Sequence, residues 1–241
     1  MTDEVWKDET LVRAFLAGVR GGLPFAAAQI EILLRIVYAL GRPIESLADL
    51  GCGDGILARA ILAKFPAASA TLVDFSEPML EQARGQLSSE GRDVCFVPAD
   101  FGEKQWSGLI AGRGPFDLIL SGYAIHHQPH QRKRELYQEI FELLKPGGLF
   151  LNTEHVSSPT NWVRSISDGL YIDSICKFQR SQGSQKGRDE IAREFFHRPD
   201  KAANILASVE SQCDWLRAAG FVDVDCYFKV FEAAIFGGRR P

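Results

Sequence analysis

The chain has 241 residues, 46% hydrophobic and 24% charged, with a formal net charge of −4. That length suits one large α/β domain, and the composition is that of a globular protein with a substantial core. The slight acidity argues against a nucleic-acid partner, whose surface normally shows as net basicity or a basic stripe.

The opening "MTDEVWKDET" is acidic and polar, unlike a signal peptide. Residues 25–40 are the most apolar long stretch, but Gln29, Glu31 and Arg35 interrupt it, so no membrane span is expected. Within it Ile30, Leu33, Leu34 and Val37 recur at helical spacing, which predicts a helix over 24–40 stopped by "GRP" at 41–43. Strands are then expected at 46–50, 70–74, 94–98, 116–121 and 149–154, with helices at 56–64, 78–89, 106–111 and 131–144. Such alternation predicts an α/β fold, a mostly parallel sheet with helices on both faces.

Residues 157–208 read as helical and irregular, with "RSQGSQKGR" as exposed loop. A helix over 209–219 ends at Gly220, and strand-like runs follow at 222–229 and 231–236. The five cysteines, Cys52, Cys95, Cys176, Cys213 and Cys226, are scattered and contain no C-x-x-C pair. They read as reduced thiols of a cytoplasmic protein.

The stretch "LADLGCGDG" at 47–55 sets a glycine-rich turn after the first strand. Its spacing is too tight for the dinucleotide pattern G-x-G-x-x-G, and Asp54 would repel a pyrophosphate at a helix N-terminus. No G-K-[ST] follows, so a nucleotide triphosphate loop is excluded as well. The acids Asp49 and Asp54 suit a ligand with a neutral or positive group beside the turn.

Asp49, Gly51, Cys52, Gly53, Asp54 and Gly55 together resemble the first motif of class I S-adenosylmethionine-dependent methyltransferases. Further family signatures stand in order: "TLVDFS" with Asp74, "VPADF" with Asp100, "FDLILSGYAIHH" and "LLKPGGLFLNTE". The resemblance covers residues 46–155. It implies a Rossmann-like seven-stranded sheet, mostly parallel with an antiparallel last strand, with N-terminal and late helical extensions. It also implies S-adenosylmethionine as cofactor, S-adenosylhomocysteine as product and a small-molecule acceptor. In this reading 1–44 is a helical cap, 45–156 the cofactor-binding core, 157–208 a substrate-side insertion and 209–241 the closing helix and strand pair.

By the same resemblance Asp74 accepts the ribose hydroxyls, Phe75 and Met79 pack on adenine, Asp100 and Phe101 cap its edge, and Ser121 stands beside the cofactor. "GVRGGLPF" at 18–25 loosely resembles the R-x-x-P-[YF] segment of some small-molecule methyltransferases and of carboxy-S-adenosylmethionine synthase. There Arg20 would pair with the cofactor carboxylate, and Phe25 would stand near it without a tyrosine hydroxyl. Each residue also has a structural reading: the glycines mark any tight turn, and Asp74 caps the next helix. It is the ordered set that favours the cofactor.

His126, His127 and His130 lack a compelling further ligand, so no metal is expected. His126 and His127 are the candidate catalytic residues, because an imidazole titrates near neutrality and can take a proton from a substrate hydroxyl or amine. "QRKR" at 131–134 reads as a solvated helix face. Aromatics expected around the acceptor are Trp6, Phe15, Trp162, Tyr171, Phe178, Phe195 and Phe196. The stretch "SGYA" at 121–124 lacks the N-P-P-[YFW] pattern of DNA amino-methylating enzymes.

The first reading is thus methyl transfer to a small molecule, with no nucleic acid or membrane partner and a homodimer left open. A carboxy-S-adenosylmethionine synthase-like enzyme is the alternative, for which Arg193 or Arg198 would supply an extra cation. A non-catalytic binding module on the same fold is the third.

Overall fold

The first strand, β1 (Ser46–Leu50), is buried at all five positions, so "SLADL" shows no alternation of polar and apolar residues. It lies third, between β2 and β4, in a seven-stranded sheet of order β3-β2-β1-β4-β5-β7-β6. The other strands are β2 (Ser69–Asp74), β3 (Val94–Pro98), β4 (Phe116–Gly122), β5 (Leu144–His155), β6 (Val222–Val230) and β7 (Ala233–Arg239). Pairing is parallel from β3 through β5, and β7 runs antiparallel to both β5 and β6. The computed structural model describes residues 4–14, 20–87, 91–198, 201 and 203–241.

One face of the sheet is covered by α2 (Ala26–Tyr38), α3 (Ile56–Leu62) and α4 (Glu77–Leu87), through Leu33, Val37, Ile61, Leu62 and Leu80. The other carries α5 (Trp106–Ile110), α6 (His130–Leu143) and α9 (Val209–Ala218), through Trp106, Leu136, Tyr137, Ile140 and Leu216. A short α1 (Glu9–Ala14) precedes them. The late insertion forms α7 (Asn161–Ser181) and α8 (Arg188–Phe196), which pack on each other around Tyr171, Ile175, Ile191 and Phe195. Within "RSQGSQKGR", Arg180 and Ser181 close α7, Arg188 opens α8, and only the residues between form the loop.

Three local departures have physical causes. The strand expected from 149 begins at Leu144, which pairs with Phe116; a register shift before Leu118↔Leu149 absorbs "KPGG". The last strand begins at Ala233 because Phe231 adopts left-handed φ (52°) and turns the chain first. In "QRKR", Gln131 and Arg134 are exposed as expected, but Arg132 and Lys133 are buried. Arg132 turns inward to donate twice to the Phe101 carbonyl, at 3.0 and 2.8 Å, and to pair with Glu139. Lys133 reaches the carbonyls of His126 and Ile205.

All five cysteines are free thiols. Among the described residues no helix is long and apolar enough to cross a membrane.

Candidate active site

The glycine turn is folded back onto the end of β2. Gly51 and Cys52 donate their N–H groups to the Val73 carbonyl at 2.8 and 3.0 Å, and Gly53 N–H donates to Asp74 Oδ2 at 2.9 Å. Gly51 sits at φ +66°, and a Cβ there would lie 2.2 Å from the Ala124 Cβ, so only glycine lets β1 and β4 approach here. Asp49 Oδ2 accepts from Ala58 N–H, and Asp54 accepts from Ile56 N–H beside Arg59, so both acids also anchor the start of α3.

These strand ends open into a cavity of about 430 Å³. Asp49, Gly51, Cys52, Gly53, Asp54, Asp74, Phe75, Met79, Asp100, Phe101 and His127 all line it. Burial pushes the Asp74 carboxyl up to about 6, against the N–H groups of Ser76, Gly53 and Phe75 that hold its charge. Burial likewise raises the Cys52 thiol, with Asp74 adding to it. Asp100 is exposed and accepts from Gly102 N–H at 2.7 Å, which shapes the loop after β3.

Two expected contacts lie elsewhere. Gly55 is outside the cavity wall: a Cβ there would meet Leu87 and Leu72, so its glycine serves helix packing. Ser121 is fully buried and donates to the Leu50 carbonyl at 2.8 Å, inside the sheet. The Arg20 side chain and Phe15 fall outside the described residues. Phe25 is 43% exposed and stands edge-on to Phe228 instead of near the cavity.

Behind the cavity lies an inner chamber of about 70 Å³. Trp6, Leu23, Tyr123 and His127 wall both spaces, while His126, His155, Tyr171, Phe195, Arg198 and Lys201 wall the chamber and not the cavity. Trp162 and Phe196 instead point outward, at 73% and 51% exposed, and Phe178 packs against Gly21. Arg193 is exposed, so of the two arginines considered only Arg198 reaches the chamber.

The His126 and His127 rings are in contact, centroids 4.0 Å apart and planes tilted by 46°. His127 Nδ1 lies 3.4 Å from the Ala203 carbonyl. His126 Nδ1 lies 2.6 Å from Glu154 Oε1, and both are buried. Burial lowers His126 well below the ordinary histidine value and raises Glu154 to about 7. Desolvation therefore favours a neutral His126, whose Nδ1–H donates to Glu154 once that carboxyl ionises. Lys133, fully buried on α6 and lowered to about 8 by burial, draws Glu154 toward its charged form.

Several residues in the walls or, like Glu154, behind them were given no role by the motifs. Glu154 and Thr153 follow Asn152 at the end of a buried strand, and a polar run there was the available signal. Gln29 on α2 exchanges hydrogen bonds with the Tyr123 hydroxyl at 2.9 and 3.0 Å. Tyr123 itself holds left-handed φ (53°), a strain that its N–H donation to Thr153 O helps to fix. Among the described residues no group of three His, Cys, Asp or Glu side chains could hold a metal ion.

A model described as a methyltransferase domain matches residues 47–148. Carboxy-S-adenosyl-L-methionine synthase of Aeromonas salmonicida is 26% identical over 230 residues, 93% of this chain and 86% of its own. Demethylmenaquinone methyltransferase of Clavibacter sepedonicus is 30% identical over 185 residues, 75% of this chain and 67% of its own. The solved S-adenosylmethionine-dependent methyltransferase SibL superposes with a TM-score of 0.60 at 19% identity. That match covers 90% of this chain but 56% of SibL's, and it is a likeness of fold. The motifs, the strand order with its antiparallel β7 and these relatives agree: the chain belongs to the class I methyltransferases, whose cofactor is S-adenosylmethionine.

Proposed function

We propose that the chain moves the methyl group of S-adenosylmethionine onto a nucleophilic atom of a small molecule seated in the inner chamber. The observation that carries this reading is the position of His127, which walls both the cofactor cavity and the chamber behind it. The cofactor supplies a methyl already activated on a sulfonium, open to in-line displacement, so the protein has mainly to position the partners.

The residues present suit that cofactor. Asp74 offers a carboxylate at the cavity wall, the Gly51–Gly53 turn lets backbone approach closely, and Thr153 Oγ1 is buried there without a hydrogen bond among the described residues. Asp74 would hold the ribose, Phe75 and Met79 the adenine face, and Asp100 with Phe101 its edge.

Beyond it, His127 lies with Nδ1 3.4 Å from the Ala203 carbonyl, an imidazole at the junction of the two spaces that would take the proton of the acceptor. His126, held by Glu154, backs that ring and fixes its plane. The test is transfer of label from methyl-labelled S-adenosylmethionine into a small-molecule extract. His127→Ala is expected to slow transfer by about 100-fold while calorimetric affinity for S-adenosylhomocysteine changes far less. Failure to bind either form of the cofactor would sink the reading and leave a non-catalytic module.

The 93% coverage by carboxy-S-adenosyl-L-methionine synthase favours a second reading, a synthase-like enzyme on the same cofactor. The mass of the ligand that copurifies with the protein separates the two, since a carboxylated cofactor is heavier.

A further inference from the structure

The loop between β3 and α5, residues 99–105, carries Asp100 and Phe101 into the cofactor cavity wall and is tied to α6. The Phe101 ring lies against the glycine turn, its Cε1 3.3 Å from the place a Gly51 Cβ would take. Its carbonyl accepts from both Nε and Nη2 of Arg132 on α6, at 3.0 and 2.8 Å. The same guanidinium gives Nη1 and Nη2 to the two oxygens of Glu139, at 2.7 and 2.6 Å. Glu139 Oε2 also accepts from Trp106 Nε1–H at 2.5 Å, and Trp106 opens α5 where the loop ends.

One carboxylate thus holds both ends of the loop, through Arg132 at Phe101 and directly at Trp106. Arg132 and Trp106 are both buried. A buried ion pair is weak support for stability, because apolar residues of similar volume often serve as well. What this one supplies is geometry. A planar fork that meets a carbonyl with one edge and a carboxylate with the other fixes the loop in one position, which a lysine cannot do. Within the loop Asp100 Oδ1 accepts from Gly102 N–H at 2.7 Å, and Glu103 N–H donates to the Asp100 carbonyl at 3.0 Å. Among the described residues the Asp100 side chain is hydrogen-bonded only inside its own loop, so the aim of its carboxylate depends on how the loop is held.

We propose that Arg132 and Glu139 are positioning residues for base recognition: they clamp the loop so that Asp100 meets the amino group of the cofactor's adenine, and so make the site select adenine over a 6-oxo purine. A loop released from the clamp still offers Phe101 and Asp100 to the cavity, but no longer in one place. This rests on the placement of adenine beside Asp100 and Phe101 proposed above, and on no acceptor.

The test is calorimetric titration with S-adenosylhomocysteine and with S-inosylhomocysteine, which carries a carbonyl where adenine has its amino group. The unsubstituted protein is expected to prefer the adenine compound by about 100-fold, since the analogue loses a charge-assisted hydrogen bond and sets an oxygen against the carboxylate. Arg132→Lys keeps the charge but lacks the fork, and should cut that preference about tenfold. Glu139→Gln, isosteric and at a half-buried position, should cut it about threefold or more and carries the test if the lysine variant does not fold. The ratio is the readout because a general loosening of the cavity weakens both compounds together and leaves it unchanged. A ratio within twofold of the unsubstituted protein's in the folded variants overturns the proposal alone. If the unsubstituted protein binds neither compound, the cofactor reading falls and this inference falls with it.

Discussion

Asp74 answers to two opposing demands at the scale of a single residue. In the proposed role of accepting ribose hydroxyls it acts as a carboxylate, yet burial holds its carboxyl near 6. Ionising it at neutral pH therefore costs the empty protein stability, on the order of 3 kcal/mol before relaxation. Asp74→Ala is expected to weaken S-adenosylhomocysteine binding at least tenfold, since charge-assisted hydrogen bonds are worth about 1.5–3 kcal/mol each. Calorimetry at pH 8 checks this, and an unchanged affinity would place the ribose contact elsewhere. Cofactor affinity of the unsubstituted protein should also fall as pH drops through 6, because the carboxylate is then lost. That these positions line one cavity was legible in advance because their signal is local: an acid at a strand end, glycines in a turn. Glu154, Lys133 and Gln29 were not. Each acts across the fold, on His126, on His126 and Ile205, and on Tyr123, and nothing in their own neighbourhoods announces such partners. The "QRKR" run shows the same limit, since helical periodicity does not say that a side chain will turn inward to reach a carbonyl.

At the scale of elements, the turn from β1 to α3 is where packing and binding meet. Gly51 combines left-handed φ with a Cβ position 2.2 Å from Ala124, which leads directly into the His126–His127 turn. Gly51→Ala must therefore strain its backbone and displace the neck of the histidine turn together. Chemical denaturation should show a loss of about 2 kcal/mol or more, above the usual range for a surface substitution. Cofactor binding should fall in the same variant, whereas Gly85→Ala, on the open surface of α4, should leave binding unchanged and add up to about 1 kcal/mol of stability. The ladder of strands and helices could be read from pattern because buried parallel strands are short and apolar. The insertion of α7 and α8 was read only as helical and irregular, because its apolar positions serve a small cluster of their own instead of the main core.

Over the whole molecule, Glu154 ties the chemistry of the chamber to the stability of the fold. Its folded-state value of about 7 lies above its ordinary 4.5, so the folded chain holds this proton longer than the unfolded one. The associated stability is fully present below about pH 4.5 and is lost as pH rises through 7. Relative to Glu154→Gln, the unsubstituted protein should thus lose up to about 3 kcal/mol between pH 5 and 8. Urea unfolding of both proteins across that range measures the difference. A flat difference would mean that Lys133 and His126 already hold Glu154 ionised throughout.

The position of β7 has a consequence for assembly. It lies between β5 and β6, yet it follows both in the chain. Among the described residues β6 pairs with β7 alone, so it has no place in the sheet until β7 has docked on β5. That edge must form from the inside outward, in the reverse of its synthesis, with β6 waiting on residues made after it. A chain cut before 233 would leave two strand edges unpaired at once, one of them β5 with Glu154 at its end. Hydrogen exchange during refolding should accordingly protect β7 no later than β6.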